Sequence, residues 1–302
     1  MPAYNCAATI AESVASIMDA NFSEGDELII VNDCSTDDTA GVFQTISLQY
    51  PQIRIIHHVH NKGGGAARNT AVENARHALL FCLDADNVLE KNSIRPLVRF
   101  LQAEQADIAS FAELKYFSDS TAAPDESWFF GPQHFTLQHL LAGKLSPGAS
   151  GNYLFTKDSW QKAKGYSEDL GALDTWSFGF KQLMEGCKMV VMPGSYYFHR
   201  RGHQSYYIRD AWSKRRSVSL RLIKLIINYI DRFEPGDVDY IFSARGRYTW
   251  FDRLEKRPIR LAVRPGADAV WSDHELKKSP LTLFKEKVSY YTRRLKQKYK
   301  RS

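Results

Sequence analysis

Along the first 115 residues the spacing of apolar positions keeps switching between two periods. Ala7 to Met18 sets Ile10, Val14 and Ile17 at helical spacing, and Glu27–Val31 is an apolar run ending in a polar turn, as buried parallel strands do. Thr39 to Tyr50 is helical again and Pro51 stops it. Ile53–Val59 predicts a strand, Asn61–Gly65 a tight glycine loop and Asn69–His77 a helix. Ala78–Leu83 predicts a third strand, broken by Asp84-Ala-Asp86. Ser93–Glu104 then predicts a helix and Ile108–Lys115 a strand. This alternation predicts an α/β fold with a mainly parallel central sheet flanked by helices. Every polar motif falls at the carboxyl end of a strand, the edge at which open sheets bind ligands. Ser118–Gly131 is polar and punctuated by Pro and Gly, then turns aromatic at Trp128, Phe129 and Phe130, which predicts a long functional loop or lid. Helical periodicity from Trp212 to about Phe233, and again where Phe284, Val288, Tyr291, Leu295 and Tyr299 recur, predicts a helical C-terminal extension.

Charge changes this picture in one place. The net charge is +6, yet residues 275–302 hold ten Lys or Arg against two Glu, so the rest of the chain is slightly acidic. Basicity of the tail and not of the fold argues against a nucleic-acid binder. It suits an amphipathic segment on an anionic membrane surface, a stripe packed on the main domain, or a solvated end. Cys6, Cys34, Cys82 and Cys187 form no CxxC pair, which fits a reducing cytoplasm and argues against structural zinc or a disulfide framework. The most apolar stretch, Leu220–Ile230, is interrupted by Arg221, Lys224 and Asn228 and does not span a bilayer.

The chemistry concentrates in three turns. Asp84 and Asp86 flank one small residue directly after a strand; hard oxygen ligands in this arrangement suit Mg²⁺ or Mn²⁺ with positions left for phosphate oxygens, although solvated turns give the same pattern by chance. Asp33 stands at the same sheet edge, where a carboxylate can accept from a base N–H or a ribose hydroxyl, while Ser35 or Thr36 can cap the helix beginning near Asp38. In Asn61–Asn69 the glycines allow close backbone approach and Arg68 suits phosphate or carboxylate. Gly63-x-Gly65 partly mimics a dinucleotide fingerprint, the basis for an NAD(P)-dependent oxidoreductase as an alternative, but Arg68 occupies the third glycine's place. His57, His58 and His60 alternate along a strand, cannot all face one ion, and read as structural.

Taken in order, Pro2–Asn5, Asn32–Asp37, Asn61–Asn69 and Phe81–Asp86 resemble the motifs of glycosyltransferase family 2, over roughly residues 1–205. The resemblance implies a GT-A-like catalytic domain at 1–205, with a nucleotide-binding half of about 1–110 and an acceptor half of about 111–205, followed by the extension at 206–302. It implies that Pro2, Tyr4, Asn5 and Asp33 belong to the nucleotide-sugar site, with Tyr4 and Asp33 lining the base pocket. Arg68 would help hold the nucleotide, Asp84 would lie near ribose, and Asp86 would ligate Mn²⁺ or Mg²⁺. Asn32 departs from the usual Asp and leaves Asp33 as the carboxylate. Asp174 stands where the family places its general base, with Leu173 replacing the usual Glu; a plain reading makes it the N-cap of a helix over Thr175–Glu185. His199 or His203 would be a third metal ligand, and Arg200 and Arg201 would neutralise phosphate.

The implied activity is inverting transfer from a nucleotide-diphosphate sugar, UDP-linked above all, to a saccharide or lipid-linked hydroxyl, in the cytoplasm or on the inner face of the plasma membrane. The non-enzymatic alternative is an inactive membrane-docked scaffold. Because Pro2 and Asn5 are turn residues, the chain begins where a strand should be ending, and further apolar residues are expected upstream of Met1.

Overall fold

In a computed structural model the described residues are 1–141, 144–201, 221, 225–233, 260–264 and 267–270. The predicted alternation holds through residue 103. β1 (Pro2–Ala3), α1 (Ile10–Met18), β2 (Ile29–Asn32), α2 (Thr39–Gln49), β3 (Arg54–His57) and α3 (Gly64–Glu73) follow one another. Then come β4 (Leu79–Phe81), β5 (Val88–Leu89) and α4 (Ile94–Ala103). β1, β2 and β3 form a parallel sheet in that order, in register Ala3↔Asn32 and Asn32↔His57. Its core is Ile29, Val31 and Ala67, with Ile56, Ala71 and Leu80 against them: apolar strand positions meeting the small-residue face of α3.

α3 begins five residues before the predicted helix at Asn69. Gly63, at φ +93°, makes the turn into it, a conformation that favours glycine, so the glycine segment is the helix's first turn as well as a loop.

The second sheet departs from the parallel expectation. β6 (Ile108–Phe117), β7 (Glu126–Phe129), β8 (His134–Phe135), β9 (Leu154–Thr156) and β10 (Met189–Arg200) join β4 and β5 in the order β4-β9-β6-β10-β5, with β7 on β6 and β8 on β10. Only β6 and β10 pair in parallel; the other pairs in this sheet are antiparallel. The sheets together are therefore mixed. A short reversal such as the one joining β6 to β7 can only make an antiparallel pair, whereas parallel pairing needs a long crossover. That reversal also replaces the predicted loop over Ser118–Gly131: its aromatic end is the strand β7, with Glu113 opposite Phe129 and Tyr116 opposite Glu126.

α5 (Leu137–Leu141), α6 (Lys157–Lys162) and α7 (Asp174–Met184) complete the first compact unit, Met1–Arg232. Phe155, Tyr153, Tyr166 and Phe178 pack as an aromatic core under α7. Leu225 and Ile226 are buried, and Tyr229 packs edge-on against Phe180 with ring centroids 5.6 Å apart. Most of the helix expected over Trp212–Phe233, and the tail at 275–302, lie outside the described residues. In the second unit, Phe233–Ser302, the described strands β11 (Arg260–Arg264) and β12 (Ala267–Val270) pair antiparallel, a strand pair where a helical extension was expected. Among the described residues no helix is long and apolar enough to cross a membrane.

Candidate active site

The turn after β2 is built on carboxylate and amide side chains. Asp33 is 2% exposed; its Oδ1 lies 2.7 Å from His58 Nδ1 and accepts from Lys62 N at 2.8 Å, while Oδ2 accepts from Gly63 N at 2.7 Å. His58 Nε2 lies 3.0 Å from Thr70 Oγ1, which ties the same group to α3. Asp33 thus orders the glycine loop, and a nucleotide base would have to compete with these partners. The loop's amides at Lys62 and Gly63 point at Asp33, where a dinucleotide fingerprint would spend such amides on a pyrophosphate; this removes the structural basis of the oxidoreductase alternative.

Ser35 and Thr36 do not cap α2. Asn5 N donates to Ser35 Oγ at 3.0 Å, and Thr36 N donates to Asn5 Oδ1 at 2.8 Å, joining the turns after β1 and β2. Asp37 serves the helix start instead, accepting from Thr39 N at 3.1 Å through Oδ1 and from Ala7 N at 3.1 Å through Oδ2. Asn5 sits at φ +49°, Pro2 pairs with Val31 in β1, and Tyr4 is left 45% exposed beside this joint.

Three predicted residues from distant parts of the sequence meet at Arg68. Its Nη1 donates to Asp174 Oδ2 and its Nη2 to Asp84 Oδ1, both at 2.6 Å, and its guanidinium lies 5.7 Å from the centre of the Tyr166 ring. Arg68 and Asp174 are both buried, so the pairing is strong and would be costly to break. Burial pushes the Asp174 carboxyl above the usual carboxylate range, and Arg68 opposes it. Asp174 is not the cap that precedes α7. It is the helix's first residue, and its Oδ1 accepts from Thr175 N at 2.8 Å.

The glycines before Arg68 make room for this cluster. A Cβ on Gly64 would stand 2.8 Å from Arg68 Nη1 and 2.9 Å from Asp174 Oδ2, and one on Gly65 would stand 2.4 Å from the Ser167 carbonyl oxygen.

Two further residues hold the cluster and were not singled out from sequence. Asn152, fully buried, accepts from Asp84 N at 2.7 Å and donates to Asp84 Oδ2 at 3.3 Å. Asn69 latches α3 to the segment before α7, donating to Tyr166 O at 3.0 Å and Glu168 Oε1 at 2.9 Å and accepting from Tyr166 N at 2.8 Å. Asn69 closes the Ala-Arg-Asn motif, a usable signal. Asn152 lies in no motif, and only its contact with Asp84 reveals it.

Asp86 stands beyond this cluster. Burial, then the nearby Asp84, raises its carboxyl to about 6. Burial lowers the His199 imidazole to about 4 against the pull of Asp84, so it is neutral and able to ligate a metal near pH 7. β5 and β10 bring the two segments together: Phe198 is opposite Val88, and Arg200 Nε donates to the Asp86 carbonyl at 3.1 Å. Among the described residues no three His, Cys, Asp or Glu side chains gather into a metal-holding group. A set of one carboxylate and one imidazole fits Mn²⁺ or Mg²⁺ only where phosphate oxygens complete the shell, the usual habit of Mg²⁺ at nucleotide sites. Arg200 and Arg201 pair with Glu12 and Glu126 respectively, so neither is free to meet a phosphate as expected without giving up its partner. His203 lies outside the described residues.

A sheet edge carrying paired carboxylates at the end of β4, crossed by a mixed sheet, is the layout of the GT-A class. The chain belongs to Glycosyl transferase family 2, whose model matches residues 1–162. Glycosyltransferase GlyG of Streptococcus pneumoniae is 24% identical over 161 residues, 53% of this chain and 52% of that protein. The poly(ribitol-phosphate) beta-N-acetylglucosaminyltransferase TarS of Staphylococcus aureus is 21% identical over 87% of this chain and 46% of its own length. The chain thus spans about half the length of these relatives. A crystal structure of TarS residues 1–349 with UDP matches at a TM-score of 0.60 with 19% identity, covering 84% of this chain and 72% of that one. The mannosyltransferase PcManGT of Pyrobaculum calidifontis, in complex with GDP-Man and Mn²⁺, matches at 0.57 with 18% identity, covering 82% and 70%.

Proposed function

We propose that the chain is an inverting glycosyltransferase moving a sugar from a nucleoside-diphosphate donor to a hydroxyl of an acceptor glycan. The observation that carries this reading is the junction of Asp84, Arg68 and Asp174 at the carboxyl edge of the sheet. In this reading Tyr4, exposed beside the β1–β2 joint, meets the base, and Asp84 faces the ribose. Asp174, held in place by Arg68, accepts the proton of the acceptor hydroxyl as its oxygen attacks the anomeric carbon. The bond from that carbon to the diphosphate breaks in the same displacement, the diphosphate leaves with the electron pair, and the anomeric configuration inverts. Asp86 and His199 would hold a divalent cation, which when bound neutralises charge on the leaving diphosphate.

UDP-linked donors are favoured because TarS binds UDP and UDP-GlcNAc in its structures. Relatives named for poly(ribitol-phosphate) and chondroitin synthesis favour a surface polysaccharide as acceptor. A relative named for a diphosphoundecaprenol substrate favours a lipid-linked one. A lipid-linked acceptor would also give the basic tail at 275–302 a use on the inner membrane face.

Thermal shift with UDP-, GDP- and dTDP-sugars, with and without Mn²⁺, tests the reading. One donor class should stabilise the chain, more so with Mn²⁺, and Asp86→Ala should abolish the Mn²⁺-dependent part. Asp174→Asn should keep the donor shift while turnover falls about 10²–10⁴-fold. No response to any donor, or full turnover by Asp174→Asn, would sink it.

A further inference from the structure

We propose that β7 and the end of β10 form a carbohydrate-binding subsite for the acceptor glycan, with Trp128 as its platform. The inference rests on the transferase reading. Trp128 is 43% exposed although it is bound on two sides: Tyr116 packs edge-to-face against it with ring centroids 5.1 Å apart, and its Nε1 donates to Glu126 Oε1 at 2.9 Å. The ring is therefore held in one orientation yet remains open to solvent, which a side chain serving only the core would not be. Phe129, next along β7 and so on its other face, is 66% exposed, while Phe130 just after the strand is buried.

Polar groups surround the ring. Glu126 pairs with Arg201, and the Arg201 guanidinium lies 4.7 Å from the centre of the Tyr116 ring. An aromatic face bordered by a carboxylate and a guanidinium matches one ligand chemistry in particular. A sugar ring lays its C–H face on the indole, and its hydroxyls donate to Glu126 and accept from Arg201. A protein partner would ask for a wider apolar surface, and a lipid surface for unpaired cations, whereas Arg201 is already neutralised.

Continuity with the active site decides which sugar is meant. Tyr116 also packs edge-to-face on His199 with centroids 5.2 Å apart, and His199 is the residue directly opposite it on β10. Trp128 thus lies two ring contacts from His199, and His199 in turn feels Asp84 of the Asp84–Arg68–Asp174 junction. A chain of sugars with its terminal hydroxyl at the reaction centre would reach Trp128 with an inner ring.

The test uses the full chain on a printed array of bacterial surface glycans, followed by tryptophan-fluorescence titration with the glycan that binds. Trp128→Ala should weaken that binding about tenfold and abolish most of the fluorescence change, and Trp128→Phe should restore much of the affinity. In transfer assays the acceptor KM should rise in the same proportion with kcat nearly kept, while the donor-induced thermal shift is retained. Unchanged glycan affinity in Trp128→Ala, with the donor shift intact, overturns the subsite and leaves the transferase reading standing. A Trp128-dependent glycan affinity in a chain that answers to no nucleotide sugar overturns the transferase reading and the acceptor role with it, and leaves Trp128 as a glycan platform only.

Discussion

Arg68 does with one guanidinium what three separate contacts would otherwise have to do. It holds Asp84 after β4 and Asp174 at the start of α7 in one place, and gives both a counter-charge inside a buried site. Arg68→Met would leave two carboxylates facing each other in a poorly solvated space, a loss of about 3–5 kcal/mol by urea denaturation near neutral pH. Part of that loss should return as the pH is lowered, because the orphaned carboxylates then take up protons; an equally stable variant at pH 7 would contradict the pairing.

Lys181 offers a second test with a definite sign. Burial lowers its amine from 10.5 to about 8, and its Nζ donates to Gly165 O at 2.5 Å. The unfolded chain keeps this proton to higher pH than the folded one. Between these two values the unfolded state therefore binds more protons, and the contribution of Lys181 to stability rises with pH. Relative to Lys181→Met, the natural chain should gain stability from pH 8 to 10, and a flat difference in unfolding free energy would refute the shift.

At the scale of elements, the site depends on how closely α3 approaches the segment leading into α7. Gly65 allows this because any Cβ there would meet the Ser167 carbonyl, and backbone cannot move aside as a flexible side chain can. Gly65→Ala should cost about 1–3 kcal/mol in chemical denaturation, as overpacking does. Donor-dependent turnover should fall further than this loss of stability explains, since the start of α7 carries Asp174. A wild-type melting curve with wild-type turnover would show that α3 does not set the position of α7. The latch of Asn69 on Tyr166 and Glu168 acts across the same gap. The Ala-Arg-Asn run therefore latches α3 through Asn69 and gathers Asp84 and Asp174 through Arg68.

For the whole molecule, the membrane contact proposed for the basic tail at 275–302 can be tested by removing that tail. Ending the chain at residue 274 should reduce co-sedimentation with anionic phosphatidylserine vesicles and spare binding to neutral ones. Equal sedimentation of both forms would remove the tail from that role. Local pattern determined a good deal on its own: the strand–helix alternation to residue 103, the placing of Asp33, Asp84 and Asp86 just past strand ends, and the family resemblance. Each depends on neighbours a few residues apart, the range over which periodicity and turn chemistry act. Tertiary structure alone decided the rest. It turned Asp33 inward onto His58 and the loop amides, spent Ser35 and Thr36 on Asn5 and not on a helix cap, and folded the aromatic segment back as β7. It also brought Asn152 to Asp84, and Asp174 to an arginine 106 positions away. A side chain's partners across such separations are set by which surfaces pack and which charges must be neutralised once water is excluded, and no local pattern in a chain encodes that.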